Sequence, residues 1–406
     1  MKIKNIILLA GGVSNRFWPL TDKTTFLFLS KSLIIHQVEK LINLAEKIHV
    51  VVNESNFDFI AKILSQYKNV GVYKQIKPGQ AGAILSVNSI FGETIVVNNN
   101  DLFDEDLFSL IISKKELEQV DGYAVAKKIE KYLPMGYFVS EGDVIKEIIE
   151  KPGEENMPSH NVNMNVYYFR AIEELVVVIN QLNVDSDEWL EKAVSQYIKN
   201  GKVLKMLFYE NSWYYLKYPW HVLLMKDYFL KNIKTYQGNN VEIDKTALIE
   251  GEVYIEDGVK IMNQAKIVGP TYIGKNSIIG SYAMVINSMI GEQTVVGGYS
   301  EVTRSYLGKN IMLHRNYIGD SVLADGVSFG AGAVTANYRF DAKSPSSDVK
   351  GVKMDSQLSK LGAIIGVGAK IGVNVSLLPG VKIGKKSMIG PGEVVRKDIE
   401  DEQFIF

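Results

Sequence analysis

The chain has 406 residues, of which 46% are apolar and 22% charged, with a formal net charge of −1 and no cysteine. That length exceeds one ordinary core and argues for two domains. The near-zero charge excludes a global field drawing the chain to nucleic acid or anionic membrane, and the missing cysteine excludes disulfides, thiolate nucleophiles and Cys-ligated zinc.

No apolar run approaches the roughly 20 residues that cross a bilayer. The opening "MKIKNIILLAGG" has the outline of a signal peptide, but "GGVSNRFWP" follows where a small-residue cleavage site belongs. It reads as a first buried strand. A cytoplasmic location, with no membrane or nucleic-acid partner, is the expectation.

Residues 1–235 alternate strand-like apolar runs with amphipathic stretches. "NIILLAGG" precedes "SLIIHQVEKLINLAEK"; "IHVVVN", "FDFIAKILSQY" and "ETIVVNNND" follow. This rhythm predicts a Rossmann-like α/β domain, a parallel sheet with helices on both faces. Such sheets bind ligands beyond the carboxyl ends of their strands, where "GGVSNR" and "NNNDLFD" both fall. A strand entering a glycine turn presents backbone N–H groups to an anion. Gly11 and Gly12 allow that approach, and Arg16 and Lys23 add positive charge. "GG…R" is equally the pattern of a tight turn flanked by surface cations, and on these residues alone both readings stand.

Residues 236–406 change period. Ile243, Ile249, Ile255, Ile261, Ile267, Ile273, Ile279 and Val285 recur every six residues, as do Ile365, Ile371, Leu377, Ile383, Ile389 and Val395. Neither a helix nor an alternating strand gives this spacing. A parallel β-helix does, each hexad forming one flat side with its branched residue inside. Residues 337–360 lack the period and read as a polar loop thrown out from a coil.

The first half resembles the sugar-1-phosphate nucleotidylyltransferases, whose pattern is LAGG-x-G-T-R followed by Lys. The spacing of Arg16, Lys23 and Lys31 is similar to that of uridylyltransferases making UDP-N-acetylglucosamine. By that resemblance "QIKPGQAGA" holds uracil or thymine through Gln75, Gly79 and Gln80. "NNND" ends in a magnesium ligand, Asp101. "EKP" supplies Glu150 and Lys151 to the sugar phosphate, and "NMNVY" supplies Asn163 to the sugar. The resemblance implies UTP or dTTP and a hexose 1-phosphate as substrates, Mg²⁺ as cofactor, and Arg16 and Lys23 as catalytic residues.

The sequence departs from that pattern at several places. Ser14 and Asn15 replace the loop glycine and threonine, the serine being tolerable if its φ is negative. Asn100 replaces the glycine before the aspartate, and Met164 and Asn165 stand in the Asn-Thr-Gly strand. Tyr215 stands where the second metal aspartate belongs, and Lys217 replaces a glycine nearby. Turnover and binding without turnover both remain open for this half.

The second half resembles left-handed β-helix acyltransferases, in particular archaeal-type bifunctional proteins that also make glucosamine-1-phosphate acetylation products. "LHRNYIGDSVLADGVSFGAGAVTANY" carries that likeness. It implies His314 as general base, with Glu301, Asn337 and Tyr338 at the acceptor, acetyl-CoA as co-substrate, and a homotrimer packed through the β-helices. Thr303 replaces a phosphate-anchoring lysine, Ser328 replaces an asparagine, and residues 265–300 offer no counterpart of the acceptor-site arginine. Two alternatives accompany the enzyme reading: a regulatory protein paired with an active paralogue, and an acetyltransferase alone.

Overall fold

The structure is a computed structural model describing residues 2–104, 106–182 and 189–406. Two compact units divide the chain. One comprises Met1–Val13 with Ile34–Trp213, the other Ser14–Leu33 with Tyr214–Phe406.

The first unit is built on a nine-stranded sheet. From one edge its strands are Val70–Lys74, Ala45–Val52, Ile3–Ala10, Thr94–Asn98, Asn161–Phe169, Gly122–Lys128, Leu204–Phe208, Val144–Glu150 and Gly136–Glu141. Ile3–Ala10 reads as a near-continuous apolar run because both its faces are covered. It pairs in parallel on both sides, Leu8 opposite Val50 and Val97. The sheet is mixed, not wholly parallel as the strand–helix rhythm suggests. Asn161–Phe169 runs antiparallel to both its principal neighbours, and Gly136–Glu141 and Val144–Glu150 form an antiparallel hairpin. That hairpin turns through Gly142 at φ +61°, too short a connection for the crossover that a parallel pair needs. The helix Glu54–Leu64 starts at Asn53, whose side chain accepts the Asn56 N–H.

The second unit is a parallel β-helix of three long ladders. Each strand pairs with the one three hexads on: Ile243 with Ile261, Ile249 with Ile267, Ile255 with Ile273. From Ile261 onward the branched residues fill an almost solvent-free interior. Each is worth about 1.5–3 kcal/mol of burial. Beyond Val285 the coils shorten, with Val285 opposite Val302 and Val302 opposite Ile318. Buried hydroxyls complete the backbone ladder there. Ser288 accepts the Ser305 N–H at 3.1 Å, Ser305 that of Ser321 at 3.0 Å, and Thr294 that of Ile311 at 3.2 Å. Leu323 then pairs with Ile365 across the inserted segment. Within that segment Ser346–Val349 and Val352–Asp355 form a hairpin, held on the coils by Ser347 Oγ donating to the Gly380 carbonyl at 2.8 Å.

Aromatic packing ties Ser14–Leu33 to this unit. Phe26 and Phe28 lie 5.1 and 5.9 Å from Tyr306, and Phe28 stacks on Phe229 at 4.9 Å. Tyr306 donates to the Leu27 carbonyl, and Trp18 Nε1 to Asp401 at 2.9 Å.

Candidate functional site

In the first unit, the carboxyl ends of three parallel strands place three motifs. Gly11 follows Ile3–Ala10 and is crossed by the Gln75 amide; a Cβ at Gly11 would lie 1.6 Å from Gln75 Oε1. The Gln75 Nε2 donates to the carbonyls of Lys77 and Gly79 at 2.7 and 2.9 Å, holding the turn before helix Gly79–Leu85. Gly79 has φ +76°, which a side chain would strain. Gln80 Oε1 is buried with no hydrogen-bond partner among the described residues. Gly12 faces open space.

The next exit carries Asn99, Asn100 and Asp101. Gln37 Nε2 fixes its backbone by donating to the carbonyls of Asn99 and Asp101 at 2.9 and 2.7 Å. Both amide atoms of Asn99 and the Asn100 Oδ1 are buried without a partner among the described residues. Buried polar atoms are rarely left so unless a ligand or water meets them. Asp101 is buried, and its Oδ1 accepts the Trp213 indole N–H at 3.0 Å.

Lys151, at φ +48°, pairs with the neighbouring Glu150 at 2.7 Å. Asn163 is fully buried; its amide donates to Asn165 Oδ1 at 3.2 Å and to the Tyr167 hydroxyl, and its Oδ1 accepts the Asn165 N–H. Asn165 occupies the motif's glycine position at φ +54°, a conformation asparagine adopts more readily than most residues. That replacement leaves the strand's geometry attainable. Burial pushes the Tyr167 phenol well above its usual range.

In the second unit, Ser14 has φ +51°, so the condition for its easy replacement of glycine is not met. The left-handed conformation costs about 1–2 kcal/mol. Two hydrogen bonds offset it: Ser14 Oγ donates to Asp22 at 3.1 Å and accepts the Lys23 N–H at 3.2 Å. Lys23 is nearly buried and its ammonium donates to the Lys217 carbonyl at 2.9 Å. His221 lies under this corner, with Nδ1 2.8 Å from the Tyr215 carbonyl and 3.2 Å from the Lys217 nitrogen. Burial lowers its pKa to about 3, with Lys23 and Lys217 adding to the effect. Arg16 is exposed and lines a cavity with the last coils of the β-helix.

The donor set does not fit a resident divalent cation. Among the described residues no group of three or more His, Cys, Asp or Glu could hold one. Asp101 commits one oxygen to the Trp213 indole, and an ion of this kind prefers carboxylate, phosphate and water oxygens.

Further along the β-helix, Glu301 stands opposite Tyr317 in the ladder. The Tyr317 hydroxyl accepts from Asn337 Nδ2 at 3.1 Å, and Asn337 also donates to Asp320. Arg304 grips the buried Asp320 carboxylate through Nε and Nη2 at 2.7 and 2.8 Å and donates through Nη1 to Thr303 at 2.9 Å. This arginine lies just beyond the stretch in which the sequence offered no counterpart. Its signal was Asp320, one shortened coil away, as Thr303 is from Gly319. His314 and Tyr338 are exposed and stand outside this hydrogen-bonded cluster. His314 N–H donates to Asn316 Oδ1 at 2.6 Å, fixing its corner. Among the other histidines, His49 is packed between Asn5 and Tyr73, and burial lowers its pKa to about 4.

The nucleotidyl transferase family model matches residues 4–215, and a model described as the GMPPB C-terminal domain matches residues 234–340. A protein of Methanococcus vannielii named bifunctional protein GlmU is 32% identical, the match covering 98% of this chain and 97% of that protein. The bifunctional sugar-1-phosphate nucleotidylyltransferase/acetyltransferase of Sulfurisphaera tokodaii is also 32% identical, over 98% of each chain. A Methanocaldococcus jannaschii protein named bifunctional protein GlmU is 31% identical over 98% of this chain and 97% of its own. With strand exits bearing the expected motifs in the first unit and a β-helix in the second, the chain belongs to the nucleotidyl transferase family, among the two-domain proteins named bifunctional sugar-1-phosphate nucleotidylyltransferase/acetyltransferases.

Proposed function

We propose that this protein makes a nucleotide sugar. Its substrates are UTP or dTTP and a hexose 1-phosphate, and its working domains are residues 1–235 and 236–406. The sugar phosphate oxygen forms a bond to the α-phosphorus, the bond from that phosphorus to the bridging oxygen breaks, and pyrophosphate departs with the electron pair. Gln75, Gly79 and Gln80 hold the base. Gly11 and Gly12 let the backbone approach the phosphates, and Arg16 and Lys23 offset their charge. Glu150, Lys151 and Asn163 hold the sugar phosphate in line. The observation that carries this reading is the set of buried, unpartnered amide atoms of Gln80, Asn99 and Asn100. They are donors and acceptors awaiting a polar ligand.

Mg²⁺ belongs to the substrate side, arriving with the triphosphate, and Asp101 is the carboxylate nearest in kind to a ligand for it. In the β-helix, Glu301, Asn337 and Tyr338 take an amino-sugar phosphate; its amine nitrogen bonds to the acetyl carbon of acetyl-CoA, the thioester C–S bond breaks with CoA leaving as its thiolate, and His314 accepts the amine proton. The assembly is a cytoplasmic homotrimer. No helix among the described residues is long and apolar enough to cross a membrane.

Tyr215 favours a second reading, in which the nucleotidyl half binds without turnover and regulates an active paralogue. A pyrophosphate-release assay with four nucleoside triphosphates and several hexose 1-phosphates separates the two. Release with one triphosphate and one sugar phosphate supports the enzyme. Saturable binding with no release supports the regulator.

A further inference from the structure

The second unit holds a cavity of about 710 Å³ between loop residues Asn15–Trp18, the hairpin of the inserted segment, and the last coils of the β-helix. Six cations line it: Arg16, Lys350, Lys353, Lys382, Arg396 and Lys397. Against them stand Asp348, Asp398 and Glu400. A chain with a net charge of −1 thus concentrates positive charge in one concavity.

Its floor is built. Lys382 is buried, pairs with Asp398 Oδ2 at 3.2 Å, donates to the Asp348 carbonyl, and lies 4.7 Å over the Trp18 ring. Asp398 also accepts the Lys382 N–H at 2.9 Å, and the Asp348 carboxylate accepts the Gly351 N–H at 2.8 Å. Two of the three acids are therefore engaged within the walls. Arg16, Lys350, Lys353 and Lys397 are exposed and make no ion pair among the described residues. Glu400 is the one acid left to offset them, and like charges gathered in such excess are unfavourable unless an anion joins them.

We propose that this cavity binds a small polyanion bearing a diphosphate group, of nucleotide size. The volume lies within the range of about 300–1,000 Å³ usual for small-molecule sites. Guanidinium and ammonium groups contributed by the loop, the hairpin and the last coils suit paired phosphates. Its lining shares no residue with the acceptor cluster of Glu301, Arg304, Asp320 and Asn337. Arg16 is the one lining residue that the nucleotidyl-transfer reading also uses; the variants that test the cavity leave it in place, so binding there stands or falls separately from turnover.

Inorganic pyrophosphate, titrated into the full chain by calorimetry without nucleotide, tests this. The triple variant Lys353→Gln, Arg396→Gln, Lys397→Gln should bind about tenfold more weakly or worse, since each loss removes a charge-assisted contact. All three side chains are exposed, so the unfolding temperature should hold. The charge-keeping pair Lys353→Arg, Lys397→Arg should retain binding, as should Lys23→Ala. Affinity should fall steeply between about 50 and about 500 mM salt. Unchanged affinity in the triple variant overturns the proposal, and so does complete loss in Lys23→Ala alone. Parallel loss of acetyl-CoA binding in the triple variant also overturns it, by making the cavity the acetyl donor's own subsite.

Discussion

Replacing Gly11 by alanine tests the geometry at the first strand's exit. Gly11 does not use the left-handed region, so its backbone accepts alanine. The obstacle is Gln75: the new methyl would sit 1.6 Å from Oε1 and 2.7 Å from Cδ, where ordinary contact begins near 3.4 Å. The amide must swing away and surrender its bonds to Lys77 and Gly79. Each is worth about 0.5–1.5 kcal/mol net, and Gln75 is near enough to solvent to recover part of that, so stability should fall by about 1–2 kcal/mol. Binding should suffer more, because the turn that presents Gly79 and Gln80 loosens. We expect UTP affinity to drop roughly ten- to hundredfold, about 1.4–2.7 kcal/mol. Calorimetry and urea unfolding on a double-mutant cycle with Gln75→Ala give the check. With the obstructing amide gone, Gly11→Ala should cost less than about 0.5 kcal/mol further. Full additivity, or parental affinity and stability in Gly11→Ala, would refute the reasoning.

Four further outcomes are expected. Lys23→Ala should weaken triphosphate binding by about tenfold, through a lost charge-assisted contact, as measured by calorimetry; equal affinity would rule out the phosphate-loop reading. Tyr215→Asp should raise pyrophosphate release in Mg²⁺, and Asp101→Asn in that background should cancel the gain; no gain at saturating Mg²⁺ would move suspicion to Ser14 and Asn165. His221 is held neutral with its pKa lowered to about 3, whereas the unfolded histidine takes its proton near its ordinary value of 6.5. Its stabilisation is therefore intact above pH 6.5 and lost as pH falls from there toward 3, at about 1.4 kcal/mol per pH unit. His221→Asn should flatten that part of the urea-midpoint profile, and an unchanged acid slope would contradict the assignment. Light scattering at micromolar concentration should give the trimer mass, and a monodisperse monomer would count against assembly through the β-helices.

The sequence displays the β-helix where each coil spans three full hexads, because every sixth residue is branched and internal. It conceals the coils between Val285 and Leu323. There a buried Ser or Thr hydroxyl stands in for part of a coil, and the spacing slips. Motifs confined to one strand exit, such as Gln75 to Gln80 and Asn99 to Asp101, were legible because their residues are neighbours in sequence. The Arg304–Asp320 pair was not, since it joins adjacent coils. The conformation of Ser14 was not legible, because φ cannot be read from a serine; Asp22, which receives its hydroxyl, was the available hint. Arg16 reads from sequence as a phosphate ligand of the first half. Trp18, Phe26 and Phe28 nevertheless anchor its segment on Asp401 and Tyr306, and the arginine lines a cavity of the β-helix unit.

Pyrophosphate release bears most directly on nucleotide-sugar synthesis. Purified protein with Mg²⁺ should release pyrophosphate from UTP or dTTP only when a hexose 1-phosphate is present, and Gln80→Ala should lower that rate by weakening nucleotide binding. No release with any triphosphate and sugar phosphate, while UTP still binds, would contradict the enzyme and leave the binding-only protein in its place.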